Sequence, residues 1–151
     1  MVERCRNGKA LRGACRCGRM DRSTCLVPPM MAAVASQSAG AVVSFAGDVR
    51  DNDHGRAVVS LTYEAHPTAQ AVLNQVAAQV AARHDVQALA VAHRFGPIAI
   101  GESALVAAVA ATHRGDAFAA CIDLVDAVKE AIPVWKHQVF ADGTDEWVNC
   151  A

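Results

Sequence analysis

Aromatic residues are scarce in this chain, 5% of 151. Its core must therefore be assembled mostly from Ala, Val, Leu and Ile. No apolar run reaches the 18 or so residues that a membrane helix needs, which excludes such a span, and no membrane partner is expected. A large charge of either sign is also missing. The formal net charge of −1 argues against a chain that binds nucleic acid as a whole. No G-x-G-x-x-G follows the first strand, and there is no P-loop, H-E-x-x-H or G-x-S-x-G. No two histidines share a clear ligand spacing, so no metal site is expected.

A hydrophobic share of 53% is too high for a disordered chain, and the length favours one domain. The charge is unevenly spread. Residues 1–25 hold seven basic side chains and two acidic ones, a balance of +5. Residues 26–151 hold seven basic against thirteen acidic, a balance of −6. Four of the six cysteines (Cys5, Cys15, Cys17 and Cys25) fall in the basic part, spaced C-x9-C-x-C-x7-C. That spacing lacks the paired knuckles of a structural zinc site. Residues 1–29 also lack apolar periodicity, and Pro28-Pro29 interrupts the only stretch that could begin an export signal. The reading is a poorly ordered basic leader, 1–29, joined to a cytoplasmic domain, 30–151.

Residues 41–49 are β-branched and apolar, a strand, and 57–64 alternate as its expected hairpin partner. Residues 68–83 carry apolar side chains at helical spacing. Strands are predicted over 86–93 and 105–111, then a helix over 115–132 stopped by Pro133. Residues 134–140 and 146–148 read as strands around an Asp142-Gly143 turn. Two main helices among hairpin-like strands predict an α+β domain with a largely antiparallel sheet.

Of the seven cations of the domain, five sit at strand ends, next to histidines or inside apolar stretches. Stepping about 100° per residue from Phe118 puts Lys129 at about 20°, between Val125 and Ile122 on the apolar side of its helix. An ammonium on a buried face is costly unless it is paired or lines a pocket, and desolvation would make it a usable acid, base or nucleophile. The last turn of a helix also suits a cation through the helix dipole, so position alone leaves both readings open. Lys136 follows seven residues later, and the two together suit an anion pocket. Arg50 ends the first strand beside Asp48, Asp51 and Asp53. His93-Arg94 and His113-Arg114 each follow an apolar run. The first reads as a solvated strand end and the second as a candidate anion clamp.

Five strings then carry a resemblance: GAVVSFAGDVR (40–50), LTYEAHP (61–67), HRFG (93–96), HRGDAF (113–118) and VKEAIPVWKHQVFADGTDEW (128–147). In order and spacing they resemble the large, catalytic subunit of molybdopterin synthase over about residues 40–148. The resemblance implies an α/β-hammerhead type of α+β fold and a homodimer within a heterotetramer. It implies a small ubiquitin-like partner whose C-terminal Gly-Gly carries a thiocarboxylate. Sulfur would pass from it to cyclic pyranopterin monophosphate, forming the dithiolene of molybdopterin, with no metal or other cofactor at this step. Residue by residue, it implies Lys129 and Lys136 as catalytic and substrate-binding. Asp48, Val49 and Arg50 would contact substrate, and His113 and Arg114 would reach into a neighbour's pocket. His137 and Gln138 stand where many members have a basic residue and Glu, and are expected beside the pocket. A binding module that keeps the pocket without turnover is the alternative.

Overall fold

The computed structural model describes residues 15–149. Arg4, Arg6, Lys9 and Arg12, with Cys5, lie outside the described residues, so the expectations that fall on them have no structural counterpart here. The elements run β1 (Cys15–Asp21), α1 (Val27–Val34), β2 (Ala41–Asp48), β3 (Asn52–Asp53), β4 (Arg56–Ala65) and α2 (Ala69–Arg83). They continue β5 (Ala88–Arg94), β6 (Gly96–Ile98), β7 (Ser103–Ala111), α3 (Arg114–Ala131), β8 (Val134–Phe140) and β9 (Asp145–Asn149).

Two sheets form. The first has the order β1-β5-β7-β2, and the second β3-β4-β8-β9 with β6 also on β4. All described pairings are antiparallel except β1 on β5. This is the expected α+β domain with largely antiparallel sheets, with α1 added to the two main helices.

The period of two along β5 and β7 divides the core. Leu89, Val91, Leu105, Ala107 and Val109 face one way and pack with α2 and α3. Ala88, Ala90, Ala108 and Ala110 face the other way, against Val34 and Met30 of α1. Both faces of these strands are buried, which is why their sequence reads as continuous small apolar text rather than as alternation.

Three expectations need correction. The chain is ordered well before residue 30: β1 lies parallel to β5, from Cys15 opposite Ala88 to Asp21 opposite Arg94. Backbone pairing holds it, with two bonds to Gln70: Met20 N donates to Oε1 at 2.8 Å, and Nε2 donates to Gly18 O at 2.8 Å. Such a strand needs no apolar alternation to form.

Second, β2 and β4 do not form a hairpin. β2 pairs with β7, while β4 pairs with β3, β6 and β8 in the other sheet. The tight turn is the local one between β3 and β4, where His54 and Gly55 take φ of 50° and 81°. Positive φ at both central residues suits a two-residue hairpin turn.

Third, the buried side of α3 is not centred on Phe118. The residues it buries are Ala117, Ala120, Cys121, Leu124, Val125 and Val128, whereas Phe118 and Ile122 are 56% and 63% exposed. Alanines let the helix approach the sheet closely, so the small residues mark the packed face. Lys129 therefore sits at the border of that face and is exposed.

Candidate active site

A cavity of about 440 Å³ opens where the C-terminal ends of β2, β5 and α3 meet β4, β8 and the end of β9. Phe45, Tyr63, Leu105 and Ile132 form apolar walls, and Asp48, His93, Lys129 and Lys136 supply polar groups. The two lysines arrive on different elements. Lys129 comes from the last turn of α3, and Pro133 then redirects the chain so that Lys136 projects from β8 into the same space. Lys129 makes no hydrogen bond or ion pair among the described residues, and its usefulness comes from its place at the cavity rather than from burial.

Lys136 is different. Its side chain is 19% exposed, and its Nζ lies 3.5 Å from Asp53 Oδ2. The other oxygen of Asp53 lies 3.5 Å from Arg50 Nη2. Gln138, 1% exposed, donates from Nε2 to Asp53 Oδ2 at 2.6 Å and to Glu146 Oε1 at 2.8 Å. The Gln138 amide, helped by Lys136 and His54, holds the Asp53 carboxyl below the usual carboxylate range. An anion-seeking cluster thus adjoins the cavity, with Lys136 common to both.

His93 continues the Leu89–Val91 face of β5, which brings it to the cavity floor. It is 5% exposed and stands edge-on to Tyr63, with ring centroids 5.0 Å apart. Its Nδ1 lies 2.7 Å from the carbonyl of Arg94, so Nδ1 carries the proton and Nε2 the lone pair. Burial pushes the pKa of this imidazole down, and the charge of Lys129 adds to the effect. Arg94 points to the opposite side of the strand and donates to Glu102 at 2.7 Å.

The remaining sequence-derived residues are placed as follows. Asp48 lines the cavity and accepts from Ser103 Oγ at 2.5 Å. Val49 is 4% exposed within an apolar cluster with Leu61, Ile98 and Ala104. Its backbone N and O are taken by Glu102 O at 2.9 Å and Gly101 N at 2.8 Å, so it holds the strand end rather than presenting a ligand-binding group. Arg50 is 75% exposed. His137 lies on the other face of β8 from Lys136, stacked on Trp147 at 4.4 Å and 2.7 Å from Asp145. Gln138 is consumed by its two carboxylates. His113 and Arg114 are exposed at the start of α3 and do not line this chain's cavity. Three residues were missed in sequence. Asp53 was seen only as a local partner of Arg50, His93 as a solvated strand end, and Tyr63 not at all. The period of two along β5 was the available signal for His93.

The family model described as MoaE protein matches residues 21–131. The chain belongs to the MoaE family. A molybdopterin synthase catalytic subunit of Arabidopsis thaliana is 38% identical over 111 residues, which are 73% of this chain and 56% of that protein. The one from Bacillus subtilis is 35% identical over 116 residues, 76% of this chain and 73% of the relative. The crystal structure of molybdopterin synthase from Staphylococcus aureus superposes with a TM-score of 0.79 at 28% identity, covering 85% of this chain and 94% of that one. The chain spans only 56–64% of the length of the plant and fungal relatives it matches.

Proposed function

We propose that this chain transfers sulfur from the thiocarboxylated C-terminus of a small ubiquitin-like subunit to cyclic pyranopterin monophosphate, forming the dithiolene of molybdopterin. The observation that carries the reading is the meeting of Lys129 and Lys136 at one half-apolar cavity in a member of the MoaE family. Both reactants are anionic, and positioned cations stabilise charge that develops during attack. An extended Gly-Gly tail has no side chains, and it suits a cavity walled by Phe45, Tyr63 and Ile132.

In this reading the unpaired ammonium of Lys129 faces the thiocarboxylate. Once the sulfur has bonded to the pterin, water attacks the resulting thioester carbonyl. Lys129 stabilises the oxyanion this forms while the carbonyl carbon–sulfur bond breaks, leaving sulfur on the pterin and a carboxylate on the small subunit. Lys136 and Arg50 hold the phosphate of the pterin. His113 and Arg114 complete the site of a second copy of the chain. Support for that last point comes from α3, where Arg114, Phe118 and Ile122 follow at intervals of four on one exposed face. An exposed aromatic and aliphatic pair beside an arginine suits a self-association surface.

The test is reconstitution. Purified chain, thiocarboxylated small subunit and cyclic pyranopterin monophosphate are mixed, and molybdopterin is read as its fluorescent oxidation product. Product is expected, and Lys129→Ala should reduce it by about three orders of magnitude, as for removal of a positioned electrostatic group. Complex formation on a sizing column without product would instead favour a binding module that has lost turnover.

A further inference from the structure

We propose that Asp53 makes the anion site selective for singly charged phosphodiesters, cyclic phosphates included, over doubly charged phosphomonoesters. The proposal rests on the reading of Arg50 and Lys136 as phosphate ligands.

Asp53 stands between those two cations, 3.5 Å from each. These separations are long for ion pairs, so an incoming anion can draw on both cations without first breaking a tight bridge. The carboxylate itself cannot retreat. Its Oδ2 is fastened at 2.6 Å by Gln138, which is 1% exposed and fixed by Glu146 from its other amide hydrogen. The fastening group is neutral, so it holds the charge of Asp53 in place without cancelling it. Glu146 Oε2 lies 3.6 Å from Arg56 Nη1, a guanidinium it shares with Asp142, whose Oδ2 is 3.6 Å from Nη2. The fully exposed ring of His54 lies 3.8 Å from Oδ1 and leaves the site open to solvent.

Arg50, Lys136 and Asp53 themselves sum to two cations and one held anion, a single surplus positive charge. A phosphodiester carries one negative charge and neutralises the cluster. A phosphomonoester at neutral pH carries nearly two. It leaves a negative surplus and sets its second charge against Asp53. At a few ångströms and an intermediate effective dielectric, one unpaired charge is worth at least about tenfold in affinity, reduced by salt. Asp53 thus acts by rejection, which is how sites of limited attractive power discriminate.

The experiment uses the reconstituted synthase at pH 8 and low salt. Turnover of cyclic pyranopterin monophosphate is inhibited with guanosine 3′,5′-cyclic monophosphate, a monoanion, and with guanosine 5′-monophosphate, a dianion. The wild-type chain should be inhibited more strongly by the cyclic nucleotide. In Asp53→Asn, whose amide oxygen can still accept from Gln138, the inhibition constant of the 5′-monophosphate should fall by about tenfold. That of the cyclic nucleotide should move by less than about threefold. Asp53→Ser, lacking the charge and the bulk, should shift the ratio the same way. An unchanged ratio in both variants overturns the proposal, as does a wild-type preference for the 5′-monophosphate. Arg50→Ala separates the two levels. If it weakens both inhibitors while Asp53→Asn leaves their ratio alone, only the discriminator is wrong. If it weakens neither, or if neither nucleotide inhibits any chain, the phosphate site itself is wrong and the proposal falls with it.

Discussion

His93 is a buried imidazole whose Nδ1 lies 2.7 Å from the carbonyl of its neighbour Arg94. Burial lowers its pKa in the folded chain, so the neutral form is the one that fits. The unfolded chain then binds more protons below about pH 6.5, and stability falls as pH drops from that value towards the depressed folded one. Above about pH 6.5 the contribution is complete. Denaturant titrations between pH 7 and 5 should show this acid loss in the wild type and a flatter dependence in His93→Gln. Parallel slopes would mean that another group is responsible. Among the lysines the contrast is equally local. Lys136 is half committed to Asp53, while Lys129 is not committed at all. Lys129→Ala should accordingly abolish turnover and leave the melting temperature within a few degrees of wild type, because no described partner is orphaned. A large loss of stability would show that the residue packs rather than reacts. Such placements were only half legible beforehand. Lys129 stood out because it falls on the apolar side of its helix, and Lys136 only as its companion seven residues later. Asp53 did not, because an aspartate beside an arginine in a polar turn is ordinary, and the buried amide that pins it comes from 85 residues further along.

Elements read well from sequence where local rules act alone. β8 has the predicted bounds, because Pro133 ends α3 and a β-branched, aromatic run follows. The orientation of α3 was misread, since large apolar side chains were given more weight than alanines, and the alanines are what the sheet accepts. β1 was missed altogether. It is CRCGRMD, with no alternation, and it exists because β5 offers a free edge and Gln70 a matching amide. The fit is close. A Cβ on Gly18 would meet Asn74 Oδ1 at 2.8 Å and the Leu73 carbonyl carbon at 3.0 Å, both on α2. Gly18→Ala should therefore cost about 1–3 kcal/mol, as overpacking does, and lower the melting temperature by several degrees. Unchanged melting would mean that β1 contributes little. By the same reasoning, removal of residues 1–14 should be tolerated and removal of residues 1–21 should not, which circular dichroism melts of the two truncations would check.

At the scale of the molecule, two sheets share one cavity, and both supply residues that line it. Asp48, His93 and Lys129 stand on or behind the first sheet, Lys136 and Tyr63 on the second. His113 and Arg114 lie away from the cavity, exposed at the start of α3. If they complete a neighbour's site, the inactive variants Arg114→Ala and Lys129→Ala should complement each other. A one-to-one mixture, allowed to exchange subunits, should recover up to about a quarter of wild-type turnover, because half the dimers carry one intact site of two. No recovery after verified exchange would confine each site to a single chain. The fold class was legible at this scale because few architectures accommodate that alternation of helices and strands. The division into two sheets was not, since it depends on β2 finding β7 rather than its near neighbour β4.

The parallel seat of β1 also bears on the order of folding. Every other neighbour in its sheet can zip from an antiparallel partner, but β1 must wait until β5, some 73 positions later in register, has been made and placed. Loop closure over that distance favours late docking, and a strand held mainly by main-chain pairing is among the first to let go. Its amides should exchange with solvent sooner than those of β5 and β7. Each opening uncovers the flank of an alanine- and valine-rich strand, a ready template for pairing with another chain. The N-terminal strand thus serves as a cover against aggregation, and its loss would be felt first in solubility on heating.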